Sequence, residues 1–459
     1  MKAGRSIVTM RRAVRRSVFG LGGAAPIRLS LLAGVMLGLA GTAQAEEPLG
    51  GALSLPQAIA VAQRDNKDLK TARYAVDVAQ ARLLQAGVLP DPRLNITGAS
   101  DFAFKNNGEY TASVGVSQDF PIAGRILRQK DVARVDIELA RTEIAEAERR
   151  LAGEVAASVY RLLAVDRQVQ AREELAAIDE RLAKATRSRF HAAEVSELDV
   201  NTVALDLQRL RQEQVQLQAE RIRLLLALNQ LLGRPSGAAL MIREPLPSMD
   251  TLSSLAEQQA KALASRPDLR LAQLQIERAQ ADVALAKSKR WEDWSVGLGV
   301  QQDRIAVDGA PSQSGDRALS FNLTIPLSLK NRTRGLIAEA EASAEQAKAR
   351  VEARQLDISN QVATAYSEAS TLQGLYNGYQ KDLLPVTARN VALAQKGYSQ
   401  GLVSLVEVVQ AQRQQGDLNT ASVNALDQYL QALARLRTAV GDYPVSDTEA
   451  GHEPQDSHQ

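Results

Sequence analysis

The sequence predicts a mainly α-helical chain with a membrane β-barrel portion, built as two tandem repeats that supply four β-strands. Three observations predict it. Ala, Leu, Gln, Glu and Arg dominate long stretches while aromatics make up only 4% of 459 residues, the usage of long helices and coiled coils. Four segments of about ten residues alternate apolar with small polar side chains, which is the strand period. The order helix, two strands, long helix, return helix occurs twice, at an offset drifting only from 200 to 208 residues.

The chain opens on an export signal. Residues 1–45 carry Lys2, Arg5, Arg11, Arg12, Arg15, Arg16 and Arg28 and no acid. An apolar run from Leu29 to Ala40 follows, then Ala43-Gln44-Ala45, which places cleavage after Ala45. The run is too short to span a bilayer as a stable helix. Arg15-Arg16-Ser17-Val18-Phe19 resembles a twin-arginine signal, but no cofactor is expected, so the general secretory route is preferred. Loss of those seven cations turns the formal charge of +2 into −5, which argues against a nucleic-acid partner. Cys is absent and His numbers three, His191, His452 and His458. Disulfides, thiol nucleophiles and Cys-based metal centres are excluded, and His-based catalysis is disfavoured.

Repeat 1 covers 53–235. A helical stretch from Pro56 to Val88 leads into two alternating segments, the first with Leu94, Ile96, Phe102 and Phe104 on one face. In the second, Tyr110, Ala112, Val114 and Val116 alternate with Thr111, Ser113, Gly115 and Ser117. A long helix follows over Arg125–Arg189, then a tip (Phe190 to Val200) and a return helix over Ser196–Leu232. The linker 236–251 contains Pro245 and Pro247, which break the helical pattern. Repeat 2, 252–441, has the same order. Trp294, Val296, Leu298 and Val300 form one apolar face, Leu319, Phe321, Leu323 and Ile325 the next, before a helix over about Thr333–Gly397 and a return over Ser404–Val440. The tail, 442–459, is polar and expected to be disordered.

The apolar strand faces suit either a soluble sheet under a helix or a membrane barrel. The export signal favours the barrel, and Trp291, Trp294, Tyr110 and Phe120 near the strand ends fit its aromatic girdles. Four strands cannot close, and an open edge in lipid leaves backbone groups unpaired at several kcal/mol each. Two copies give a barrel filled by its own side chains, whereas three give twelve strands and a lumen. A homotrimer is therefore expected. Each long helix, about 65 residues, spans roughly 100 Å. Its apolar positions recur at threes and fours with Ala between, the spacing of close helix packing.

These features resemble the TolC-like outer-membrane factor family, the exit ducts of tripartite efflux pumps, over about Leu53 to Asp442. Gln85-Ala86-Gly87-Val88-Leu89-Pro90-Asp91-Pro92 and Gln118-Asp119-Phe120-Pro121-Ile122-Ala123-Gly124-Arg125 bring it nearest the heavy-metal branch of the CzcC and CusC type. The tip from Gly397 to Val408 is equally family-like. The resemblance implies a trimeric twelve-stranded barrel in the outer membrane, continuous with a helical tunnel through the periplasm. It also implies a periplasmic adaptor and an inner-membrane pump of the RND type as partners, with no enzymatic activity. The implied cargo is heavy-metal cations, cobalt, zinc and cadmium or copper and silver. A duct for drugs or organic compounds, or for type I secretion, is the alternative.

Carried onto this chain, the resemblance makes Val195, Ser196, Gly401, Leu402, Val403 and Ser404 the adaptor contacts. Gly401 stands where a positive-φ turn is needed, while the first tip has Ala192-Ala193-Glu194 at the matching place. Glu407 matches an acid ring at the periplasmic mouth, with Asp199 its first-repeat equivalent and Gln410 where a second ring would stand. Converging carboxylates repel one another and attract cations, so they can gate and select.

Other readings are weaker. Gly397-Tyr398-Ser399-Gln400-Gly401 fits G-x-S-x-G, but a hydrolase elbow needs a strand before it and a nearby His and acid. A soluble periplasmic coiled-coil adaptor does not account for four alternating strands. Met241 and Met249 near the linker are read as packing residues rather than metal ligands.

Overall fold

The computed structural model describes residues 52–103, 108–247, 252–305, 309, 315–327 and 333–443. The leader with Ala45, Phe104, Met249 and the tail beyond residue 443 lie outside them.

Two helices, not one, enter each repeat. α1 (Leu55–Asp65) and α2 (Lys67–Ala86) break at Asn66, whose backbone is extended with ψ 128°. The Asn66 side chain accepts from Leu69 N at 2.9 Å and donates to Leu231 O at 2.9 Å. The single helix expected over 56–88 is thus corrected: a buried Asn that caps the next helix outweighs the helical pattern on either side.

Next come β1 (Arg93–Ser100) and β2 (Tyr110–Phe120), then α3 (Arg125–His191) and α4 (Glu197–Leu231). α3 runs 67 residues without a break, about 100 Å. α4 ends on Gly233 at φ 68°, where a Cβ would lie 2.1 Å from Asp65 O, so only glycine lets the return helix meet the break in the entering one. Leu53 N donates to Met241 O and Leu53 O accepts from Arg243 N, both at 2.9 Å, and Glu244 Oε2 accepts from Leu55 N at 2.7 Å. The linker thereby ties down the start of α1.

The second half repeats this order. α5 (Leu255–Ser265) and α6 (Pro267–Ser288) break at Arg266, because Pro267 disfavours helical backbone in the residue before it. Arg266 Nη1 donates to Ala439 O at 3.0 Å, joining that break to the return helix. β3 (Trp294–Arg304) and β4 (Asp316–Thr324) precede α7 (Arg334–Gly378), a π-helical turn over Tyr379–Leu383, α8 (Leu384–Ser399) and α9 (Leu405–Val440). The uninterrupted helix expected over 333–397 is corrected here. Pro385 has no N–H and its ring displaces the carbonyl four residues earlier, which the wider π turn absorbs.

The largest core gathers α1, α3, α4 and α9 around Ile59, Val155, Val159, Tyr160, Leu228 and Tyr429. Arg437 Nη1 donates to the Tyr160 hydroxyl at 2.8 Å. Tyr443 is buried in the same cluster, and burial raises its phenol above the ordinary range. Lys261 and Asp442 also form an ion pair. Asp442 and Tyr443, the first two residues of the expected tail, are therefore part of the fold, held by the burial of a large aromatic side chain. Among the described residues, no helix is long and apolar enough to cross a membrane.

Candidate functional site at the sheet and the helical tips

The four strands make one antiparallel sheet in the order β1-β2-β3-β4. Its register aligns Leu94, Val116, Leu298 and Phe321 in one row, and Ile96, Val114, Val300 and Leu319 in the next. All eight side chains are exposed. The other face carries Asn95, Gly115, Gly299 and Ser320 in one row, and Thr97, Ser113, Gln301 and Ala318 in another. A Cβ on Gly115 would sit 2.9 Å from Leu298 O, so this face is kept small where β2 meets β3. Phe120 pairs with Trp294 at the end from which β2 leads to α3.

β2, β3 and β4, at 9 to 11 residues, match the ~9–11 that cross a bilayer when tilted, and β1 at 8 is one residue short. An exposed apolar face two rows deep is a liability in water and the stable face in hydrocarbon. Among the described residues, β1 and β4 each have one edge unpaired.

At the far ends of the long helices the chain reverses through two matching tips. In the first, Glu194 N donates to Arg189 O and Ala193 N to Phe190 O, both at 2.9 Å. In the second, Leu402 N donates to Gly397 O at 2.9 Å and Gly401 N to Tyr398 O at 3.1 Å. This is the same helix-ending motif twice, and it needs one left-handed residue. Gly401 supplies it at φ 74°, and Ala193 adopts it at φ 60° despite its methyl group.

Each return helix then starts on a reciprocal cap. Ser404 N and Oγ donate to Glu407 Oε2 at 2.7 and 3.0 Å, while Glu407 N donates to Ser404 Oγ at 3.3 Å. Ser196 and Asp199 repeat the arrangement, with the backbone and hydroxyl bonds to Asp199 Oδ2 at 3.0 and 2.8 Å. The hydrogen bonds from Ser404 hold the Glu407 carboxyl below its usual range. Both acids singled out in the sequence are therefore anchored to the first turn of a helix rather than freely projecting.

The predicted tip residues fall into two groups, Val195, Ser196 and Asp199 at one tip and Gly401, Leu402, Val403, Ser404 and Glu407 at the other. Leu402 is 77% exposed. Val403 is turned inward, its Cγ2 occupying the space that a Cβ on Gly397 would take. Sequence reasoning missed Leu198 and Val406, both exposed on the first turns of α4 and α9. It also missed the contacts that join the tips. The Arg189 guanidinium lies 4.5 Å over the Tyr398 ring, and Val203 packs with Leu405 and Val409. The only signal for those was the helical spacing of the apolar residues.

Ser399 of the G-x-S-x-G stretch ends a helix, and its Oγ donates to Lys396 O at 2.7 Å. No strand precedes it, and His191 belongs to the other tip. Met241, expected to pack, is 63% exposed, because it is the backbone of that residue that bonds to Leu53.

The model of the family described as outer membrane efflux protein matches residues 58–234 and 259–442. The chain belongs to the outer membrane efflux protein family. It is accordingly an outer-membrane efflux channel and not an enzyme. Among relatives, it is 23% identical over 393 residues to the cobalt-zinc-cadmium resistance protein CzcC of Cupriavidus metallidurans, covering 85% of this chain and 90% of that one. It is 24% identical over 411 residues to the outer membrane protein TolC of Vibrio cholerae, covering 86% and 90%. The solved structure of CusC superposes with a TM-score of 0.68 at 19% identity, covering 84% of this chain and 91% of that chain. As a fold, this family member is thus a helical channel subunit with a membrane sheet.

Proposed function

We propose that three copies of this chain form the exit duct of a tripartite efflux pump that discharges heavy-metal cations. The observation that carries the duct is the open sheet: one face apolar across all four strands, the other small and polar, both outer edges unpaired among the described residues. Three such sheets joined edge to edge make twelve strands with lipid outside and a polar lumen inside. The helices of the three copies continue the lumen into the periplasm, where transport is passive. The two tips meet a periplasmic adaptor linked to an RND-type inner-membrane pump, through Val195, Ser196, Gly401, Leu402, Val403 and Ser404. Three copies of Glu407, and of its first-repeat equivalent Asp199, narrow the periplasmic mouth and favour cations. The leader, cleaved after Ala45, delivers the chain to the secretory route.

The cargo rests on the relative named for cobalt, zinc and cadmium resistance. The comparable identity to TolC favours a second reading, a duct serving a pump for organic compounds. Growth of a deletion strain, with and without the restored gene, on zinc, cobalt, cadmium, copper, silver and a drug panel separates the two. Sensitivity to metals alone, rescued by the gene, is expected. Sensitivity to drugs alone overturns the metal reading and keeps the duct.

A further inference from the structure

Above the tips, the first hairpin (α3 with α4) meets the second (α8 with α9) across a small cavity of about 90 Å³. One ion pair bridges the hairpins there. Arg413 of α9 donates from Nη2 to both oxygens of Asp206 on α4, at 2.7 and 2.6 Å, and from Nε at 3.1 Å. Asp179 of α3 lines the same cavity, beside Leu175, Ile178 and Leu182 of its own helix and Val391 of α8.

The surrounding charges leave Asp179 poorly compensated. From its own helix comes Arg172, engaged with Glu213 of α4 at 3.0 Å. α4 also contributes Asp206 and Arg209, and Arg209 is held by Glu213 at 3.0 Å. α9 contributes Arg413 and Asp417, and α8 brings no charge to the cavity. Arg413 is therefore the cation within reach of Asp179, and it already serves Asp206. Burial and the repulsion from Asp206 push the Asp179 carboxyl up to about 6, with Arg413 opposing them.

We propose that Asp179, Asp206 and Arg413 form a pH-sensitive latch between the two hairpins of one chain, tight when Asp179 is protonated and loosened when it ionises. Protonated, Asp179 packs as a neutral group in the apolar part of the cavity and leaves Arg413 wholly to Asp206. Ionised, it sets a second carboxylate against Asp206 and competes for the same guanidinium, so the joint loses both packing and pairing. The sign follows from the direction of the shift. A carboxyl whose pKa in the packed joint stands above its ordinary 3.8 stabilises that joint fully below that value, and the contribution is lost as pH rises through about 6. The latch does not depend on the proposed function; only its effect on conductance rests on that reading.

The chain has no Cys, so paired labels can be placed without background. Spin labels at Arg187→Cys on α3 and Gln395→Cys on α8 report the spacing of the hairpins, in trimers diluted with unlabelled chains to isolate distances within one chain. A narrow, short distance is expected near pH 5, lengthening and broadening by about pH 7.5 with a midpoint near 6. Asp179→Asn, isosteric and uncharged, should keep the acid-state distance at every pH. Asp206→Asn removes the repelling carboxylate and frees Arg413, and should move the midpoint at least about one pH unit lower. A wild-type distance that does not change between those pH values, or an Asp179→Asn chain that titrates like the wild type, overturns the latch.

Discussion

Ala193 and Gly401 hold the same place in the two tips, and both take left-handed backbone, at φ 60° and 74°. For an L-residue with a Cβ that conformation costs about 1–2 kcal/mol, which glycine avoids. The first tip therefore carries strain that the second does not. Ala193→Gly should stabilise the first hairpin by about 1 kcal/mol, and Gly401→Ala should weaken the second by a similar amount. No atom lies within 4 Å of a Cβ on Gly401, so the loss would be purely conformational. Hydrogen exchange at the tip amides reads each change separately. Equal protection in the parent and both variants would show that the turn tolerates either residue.

Ser404 and Glu407 serve α9 as a reciprocal cap, which separates their structural role from any gating role. Ser404→Ala should cost about 1 kcal/mol of helix-end stability. Glu407→Gln preserves the capping geometry, since Gln also serves at that position, while removing the charge. Because its carboxyl is held below the usual range, the charged cap is intact above the ordinary carboxylate pKa. Its contribution is lost as pH falls through the depressed value. Conductance of Glu407→Gln in planar bilayers should show reduced cation preference with unchanged tip protection. Unchanged selectivity would leave Glu407 as a cap alone.

Phe321 and Ser320 are neighbours on β4 that point to opposite faces of the sheet. With the apolar face in lipid, Phe321→Arg should cost about 2–4 kcal/mol and deplete the assembled protein in outer-membrane fractions. Ser320→Arg should assemble normally and alter conductance. Similar assembly of the two variants would contradict the assignment of the faces.

Gly153 lies where α3 crosses α9, with Thr438 occupying the place of any side chain; a Cβ would meet Thr438 Cγ2 at 2.7 Å. Thr is stiff at χ1, and its Oγ1 is tied to Ala434 O at 2.7 Å, so it cannot swing aside freely. Gly153→Ala should lower stability by about 1–3 kcal/mol, and adding Thr438→Ala should recover most of it. Thermal denaturation of the solubilised protein measures both. Additive losses in the double variant would place the strain elsewhere.

Much of this architecture was legible because it is written in periods. Val114 and Val116 alternate with Ser113 and Gly115, and that pattern alone assigns the two faces of β2. Ser196 and Ser404, each followed three residues later by an acid, mark the starts of α4 and α9. The breaks were harder to read. Asn66 caps the following helix through Leu69 N, but its side chain also reaches Leu231, a residue distant in sequence, and that contact leaves no local pattern. Pro385 did carry a local signal for the π turn before it, but the apolar spacing continues through the site and hides the interruption. The joints between hairpins, Arg189 with Tyr398 and Arg413 with Asp206, depend on packing between elements far apart in sequence. No local pattern encodes them.

The central claim is that the two open edges of the sheet meet those of neighbouring copies and close with three chains. Cys pairs scanned along β1 between positions 94 and 98 and along β4 between positions 318 and 322 test it directly, because the chain has no Cys of its own. Oxidised in outer membranes, at least one pair should give a covalent ladder that ends at three chains. Absence of any cross-link between chains, or a ladder that continues past three, would contradict it.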